Sequence, residues 1–161
     1  MATSHWAVVC GCLLVTLSQG TLAAVGVDIR VEILAPPPCI INGGNTPNVP
    51  FGNDLMTTRI DGVNYRRDVP YTVECEGLPS NAMTISLRGA GAAFDGTSLS
   101  TNNRDLGIKF LMDGVAWPLN NALEFTYPTL PRMEAVLVKK ADSTLEGGAF
   151  SAAATIVVAL Q

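Results

Sequence analysis

The most regular alternation of apolar and polar positions lies at the two ends of the chain. In residues 25–33 the apolar Val25, Val27, Ile29, Val31 and Ile33 alternate with Gly26, Asp28, Arg30 and Glu32. That period of two predicts a strand with one buried face. Pro36-Pro37-Pro38 stops it, because proline has no N–H to give to a ladder. At the other end Phe150, Ala152, Ala154, Ile156, Val158 and Leu160 share one phase, which predicts a last strand ending beside Gln161.

Between these ends, short apolar runs predict strands at 48–51, 69–75, 82–87, 108–112, 115–119, 122–127 and 133–139. Asp113-Gly114 between two of the runs is a strong hairpin signal. No segment sustains helical periodicity. Frequent turn signals, with fifteen Gly and ten Pro, favour an all-β chain folded as an immunoglobulin-like antiparallel β-sandwich. Neither an internal repeat nor a linker divides it, so one domain is expected.

Composition narrows the function. With 161 residues, 48% hydrophobic and 15% charged, one core is the expectation. A net charge of -4 supplies no cationic field for phosphate backbones, so nucleic acid is not an expected partner. The single histidine is His5. It falls within residues 1–23, which hold no Lys, Arg, Asp or Glu and contain an apolar stretch at 6–17 before the small-residue ending Thr21-Leu22-Ala23. This pattern reads as a signal peptide over 1–23 and predicts export. A lipoprotein alternative centred on Cys12 would leave too short an apolar segment before the cysteine.

Removing the leader also removes the only imidazole and two of the four cysteines, leaving Cys39 and Cys75. In an oxidising compartment two cysteines usually pair. Two free buried thiols remain the alternative if the chain is not exported. A metal centre is not expected, since two thiols without histidine are too few ligands.

Candidate chemistry is sparse. Glu74 and Glu76 flank Cys75 on one face of a strand and could be taken for a glycosidase pair, but a solvent-facing pair is the simpler reading. Arg66-Arg67-Asp68 reads as a charged loop, and Lys139-Lys140 as a strand end that discourages edge pairing. The paired glycines lack the Lys-Ser/Thr of a phosphate loop, and no histidine is left to activate a serine. Trp117 is expected in the core. No catalytic residue, cofactor or small-molecule substrate is expected, and the chain does not read as an enzyme.

The ends are what need explaining. A self-contained domain protects its edges, yet both terminal strands are long and alternating. Either the two pair with each other and close an ordinary sandwich, or each needs a strand from another chain. The triple proline favours the second, because a stiff extended segment carries the preceding strand away from its own domain.

Taken in order, several segments resemble the pilus subunits of the chaperone-usher pathway, particularly the minor and tip-adaptor pilins. They are the alternating arm at 25–33, Pro37-Pro38-Cys39 with Ile40-Ile41-Asn42, Val49-Pro50-Phe51-Gly52, Ile60-Asp61-Gly62-Val63-Asn64-Tyr65, Tyr71-Thr72-Val73-Glu74-Cys75, and Gly148-Ala149-Phe150-Ser151-Ala152-Ala153-Ala154-Thr155. The resemblance covers essentially all of the chain after the leader. It implies an incomplete immunoglobulin-like sandwich completed by a donor strand from another chain, with 24–35 as the donor arm and 36–161 as the pilin domain. Val25, Val27, Ile29, Val31 and Ile33 would be the donated side chains. Phe150, Ala152, Ala154, Ile156, Val158 and Leu160 would line the accepting groove, and basic chaperone residues would grip the carboxylate of Gln161. The implied partners are a periplasmic pilus chaperone, an outer-membrane usher and neighbouring pilus subunits.

On that reading the chain passes through the periplasm to a cell-surface fimbrium and supports adhesion as a minor or adaptor subunit. A lectin-bearing tip adhesin would need further length. Burial of five Val and Ile side chains would contribute about 8 to 12 kcal/mol before ordering costs. Two positions depart from the family pattern: Leu160 stands where a penultimate tyrosine is usual, and Gly26 lies early in the arm and out of phase with its apolar residues. The rival readings are a self-contained secreted immunoglobulin-like binding module, whose ends pair within one molecule, and a small exported hydrolase.

Overall fold

The computed structural model describes residues 39–161, and these form β1 (Cys39–Ile41), β2 (Arg67–Asp68), β3 (Val73–Cys75), β4 (Ala82–Arg88), β5 (Gly91–Ala92), β6 (Asp95–Ser100), β7 (Leu106–Met112), β8 (Val115–Trp117), β9 (Ala122–Thr126), β10 (Met133–Lys139) and β11 (Thr155–Leu160). Residues 1–23, read from the sequence as a signal peptide, the alternating residues 25–33 and the triple proline lie outside the described residues. Every pairing is antiparallel.

One sheet runs β11-β4-β9. The other runs β2-β10-β7-β6-β5, with β8 also on β7. Their inner faces meet in a core that includes Ile85 and Leu87 of β4, Ile108, Phe110 and Met112 of β7, and Met133, Ala135 and Leu137 of β10. Period-two spacing explains the choice, since these residues fall on one side of each strand. The chain is an all-β antiparallel sandwich of the immunoglobulin-like type. Trp117 joins the core and is buried.

A separate ribbon pairs β1 with β3, placing Cys39 opposite Cys75, and the two form a disulfide across a sequence separation of 36. The hairpin between β7 and β8 turns on Asp113 and Gly114 with φ of 50° and 81°. Positive φ at both central residues is what such a two-residue turn demands, and glycine meets it without strain. Asp113 is further held to the start of β10, donating its N–H to the Arg132 carbonyl and accepting the Arg132 N–H on its carboxylate.

Several segments differ from the sequence expectation: of 69–75 only Val73–Cys75 forms a strand, the last strand begins at Thr155 and not at Phe150, and β1 and β5 were not expected. Residues 48–51 are extended but join no ladder. Pro47 and Pro50 remove two donors there, and Phe51 is fixed instead by burial of its ring. Arg67 and Asp68, expected in a charged loop, form the edge strand β2 on β10. β6 was not expected, because Asp95-Gly96-Thr97-Ser98-Leu99-Ser100 has no apolar alternation. Leu99 and Ser98 are nevertheless buried, and the Asp95 carboxylate accepts hydrogen bonds from Thr97 and Ser98 that shape the turn.

Candidate functional site

β11 is an edge strand with one neighbour, β4, and its other side is unpaired among the described residues. Gln161 donates its N–H to the Ala82 carbonyl, and Leu160 stands opposite Met83. Hydrogen-bonded pairs in an antiparallel ladder recur at every second residue, so Thr155, Val157 and Ala159 direct their main-chain groups to β4. The N–H and C=O groups of Ile156, Val158 and Leu160 therefore face the open side. The side chains of these three are half-buried, whereas those of Thr155, Val157 and Ala159 are exposed. One phase of the strand thus serves both the core and the free edge.

Beside this edge lies an apolar groove of about 900 Å³. One wall is formed by residues 47–53 with Leu55. The other is formed by residues 147–152 with Ala154 and Ile156, and the floor by Val69, Leu87, Leu99, Ile108, Phe110 and Ala135. The first wall is fixed by Arg67, whose guanidinium donates to the Phe51 carbonyl at 3.0 Å. Phe51 and Phe150 meet with ring centroids 5.9 Å apart, an attractive aromatic geometry that ties one wall to the other.

The groove has no means of acid-base chemistry. None of its lining residues carries an ionisable side chain. The clearly shifted groups belong to other parts of the fold. Asp61 is held below the usual carboxylate range by the N–H groups of Asn64 and Val63, and Asp95 by the hydroxyls of Thr97 and Ser98. Burial, with the charge of Asp113 second, pushes the Tyr71 hydroxyl up to about 12. Glu74 and Glu76 are exposed on the ribbon that carries the disulfide. No group of three potential metal ligands occurs among the described residues. What the site offers is a row of unpaired main-chain groups above apolar pockets, the requirements for binding an extended chain by adding it as a strand.

Of the residues assigned to an accepting groove, Phe150, Ala152, Ala154 and Ile156 line it. Val158 packs against the same core, Leu160 is half-buried, and Gln161 is exposed at the strand end. Val25, Val27, Ile29, Val31 and Ile33 lie outside the described residues. Sequence reasoning did not find the opposite wall. Val49 and Phe51 stand in the sequence as a strand and as part of the resemblance, not as a groove wall, and the two prolines flanking Val49 are the signal that they cannot pair as a strand.

Residues 27–161 match the family model described as "Fimbrial protein". The chain is 36% identical over 142 residues to the fimbrial-like protein YfcR of Escherichia coli (strain K12), covering 85% of this chain and 81% of that protein. It is 35% identical over 158 residues to the fimbrial-like protein YfcQ of the same organism, covering 92% and 96%. Among solved structures it is similar to the P pilus adaptor subunit PapF, with a TM-score of 0.59 and 21% identity over 79% of this chain and 98% of that one. The P pilus rod subunit PapA is also similar, with a TM-score of 0.57 and 19% identity over 83% and 99%. At these identities the two structures bear on the fold alone.

Proposed function

We propose, from the premise that this chain belongs to the fimbrial protein family and is a chaperone-usher fimbrial subunit, that it is built into an adhesive fimbria as a minor or adaptor pilin by donor-strand exchange. The observation that carries this reading is the open edge of β11 above a groove with no ionisable lining. A free edge of this kind invites uncontrolled association, and a strand from another chain both completes the ladder and fills the groove. During export the strand comes from a periplasmic chaperone, and at the outer-membrane usher it is exchanged for the arm of the next subunit. Val25, Val27, Ile29, Val31 and Ile33 of this chain would fill a neighbour's groove in turn, so each molecule gives one strand and receives one. The minor or adaptor position rests on the resemblance carried by the sequence segments, and adhesion is served through the fibre.

Co-expression with candidate periplasmic chaperones tests the proposal. The expected product is a stable 1:1 complex and an aggregating chain without chaperone. A well-behaved free monomer would count against it and favour the self-contained module.

A further inference from the structure

The accepting rim is longer than the strand that supports it. β4 stays beside β11 only as far as Arg88, opposite Thr155. Beyond that point it is drawn away: the Asn120 side chain takes both the N–H and the C=O of Gly89, and the Ala90 carbonyl accepts the Ser100 N–H of the other sheet. Residues 147–152 and Ala154 still line the groove, but residues 147–154 belong to no strand. Their only hydrogen bonds among the described residues are at Ser151. Its N–H donates to Asn102 Oδ1 at 2.8 Å, and its carbonyl accepts the Asn102 N–H at 3.1 Å.

Asn102 thereby satisfies both main-chain groups of Ser151, as a hydrogen-bonded strand partner would. Ser151 is in phase with Thr155, Val157 and Ala159, which direct their groups to β4. Continued upstream, the alternation of β11 puts the main chain of Phe150, Ala152 and Ala154 in phase with Ile156 and Val158, which face the open edge. The loop that presents Asn102 is itself braced. The Thr101 hydroxyl reaches the Asn103 and Leu106 carbonyls, and the Asp105 N–H donates to the Asn103 side chain.

We propose that Asn102 is the positioning residue of the strand-accepting site, standing in for the missing end of β4 so that the rim at 147–154 is held in register for an incoming strand. The inference rests on the donor-strand reading of the groove. Without Asn102 the rim is free to rotate about its glycines, and an incoming strand finds only β11 ready to pair.

The test refolds the full chain with excess labelled peptide of sequence 24–35 and follows dissociation after unlabelled peptide is added. Asn102→Ala should release the peptide about five- to tenfold faster, the effect of one hydrogen bond. Asn102→Asp keeps the acceptor oxygen and should restore the original rate, a rescue that a general loss of stability would not show. Amide exchange at Ser151 should quicken in Asn102→Ala alone. If that variant does not fold, Ser151→Pro removes the donor of the same bond and should give the same faster release. Unchanged release in a folded Asn102→Ala overturns the role of Asn102 and leaves the groove's function standing. Failure of the unaltered chain to take up either this peptide or the strand of a co-expressed periplasmic chaperone overturns both.

Discussion

The two sheets end in edges that are treated in opposite ways. At β2 the edge is two residues long and crossed by charge: Arg132 meets Asp68 at 2.6 Å, and Arg132 and Arg66 both approach the buried Glu134, at 3.5 and 3.6 Å. At β11 the edge is six residues long, and residues 147–161 contain no Asp, Glu, Lys or Arg. Short, charged edges resist pairing, whereas long, uncharged ones invite it. Among the described residues the chain thus protects one edge and leaves the other unprotected, the arrangement that the donor-strand proposal requires.

Placing a charge on the receptive edge should have the largest effect. Ile156→Lys puts an ammonium where the groove wall is apolar, and burying it unpaired costs several kcal/mol. Strand capture should weaken by at least about a hundredfold and fibres should be absent by electron microscopy. Val157→Lys, on the exposed face of the same strand, should leave fibres intact, and equal damage from both would erase the distinction between faces. Next in size is the disulfide. Closing a loop of 36 residues restricts the unfolded chain, so replacing both Cys39 and Cys75 by Ser should remove about 4 kcal/mol of stability in denaturant titrations of the strand-filled subunit.

The protected edge should respond less. Glu134→Gln leaves Arg66 and Arg132 without their buried carboxylate, and a loss of about 1 kcal/mol is expected in the same titration. Fibre formation should be unaffected. The smallest effect is the pH response at the start of β6. The Asp95 carboxyl is held below its ordinary value of 3.8 by Thr97 and Ser98. Its stabilisation is thus fully present above that value and is lost as pH falls through the lower folded-state pKa. Unfolding midpoints of the unaltered chain and Asp95→Asn should differ near neutrality and converge in strong acid.

Legibility in the sequence followed the range of the interactions. The phase of Ile156, Val158 and Leu160 and the turn at Asp113-Gly114 are local, and both were readable from spacing and residue type. The receptive edge was not readable from β11 alone. Whether a strand has one neighbour or two depends on where distant β4 stops and where residues 47–55 lie. The alternating arm and triple proline supplied the hint that a strand was needed, and the family resemblance gave it a mechanism. β6 escaped notice because its burial comes from the tertiary contacts of Leu99 and Ser98 and not from any alternation. Asn102 had no signal at all, since its role arises from the departure of β4 at Gly89.

The central claim is that a strand from another chain completes the open edge of β11. Pulsed amide hydrogen exchange, read residue by residue in the full chain just after refolding, before it aggregates, and again with the 24–35 peptide present, tests it most directly. The account predicts new protection at alternate positions, Phe150, Ala152, Ala154, Ile156, Val158 and Leu160, with little change at Thr155, Val157 and Ala159, whose N–H groups are already bonded to β4. Peptide binding that leaves all of these amides unchanged, or protects both sets alike, would contradict it.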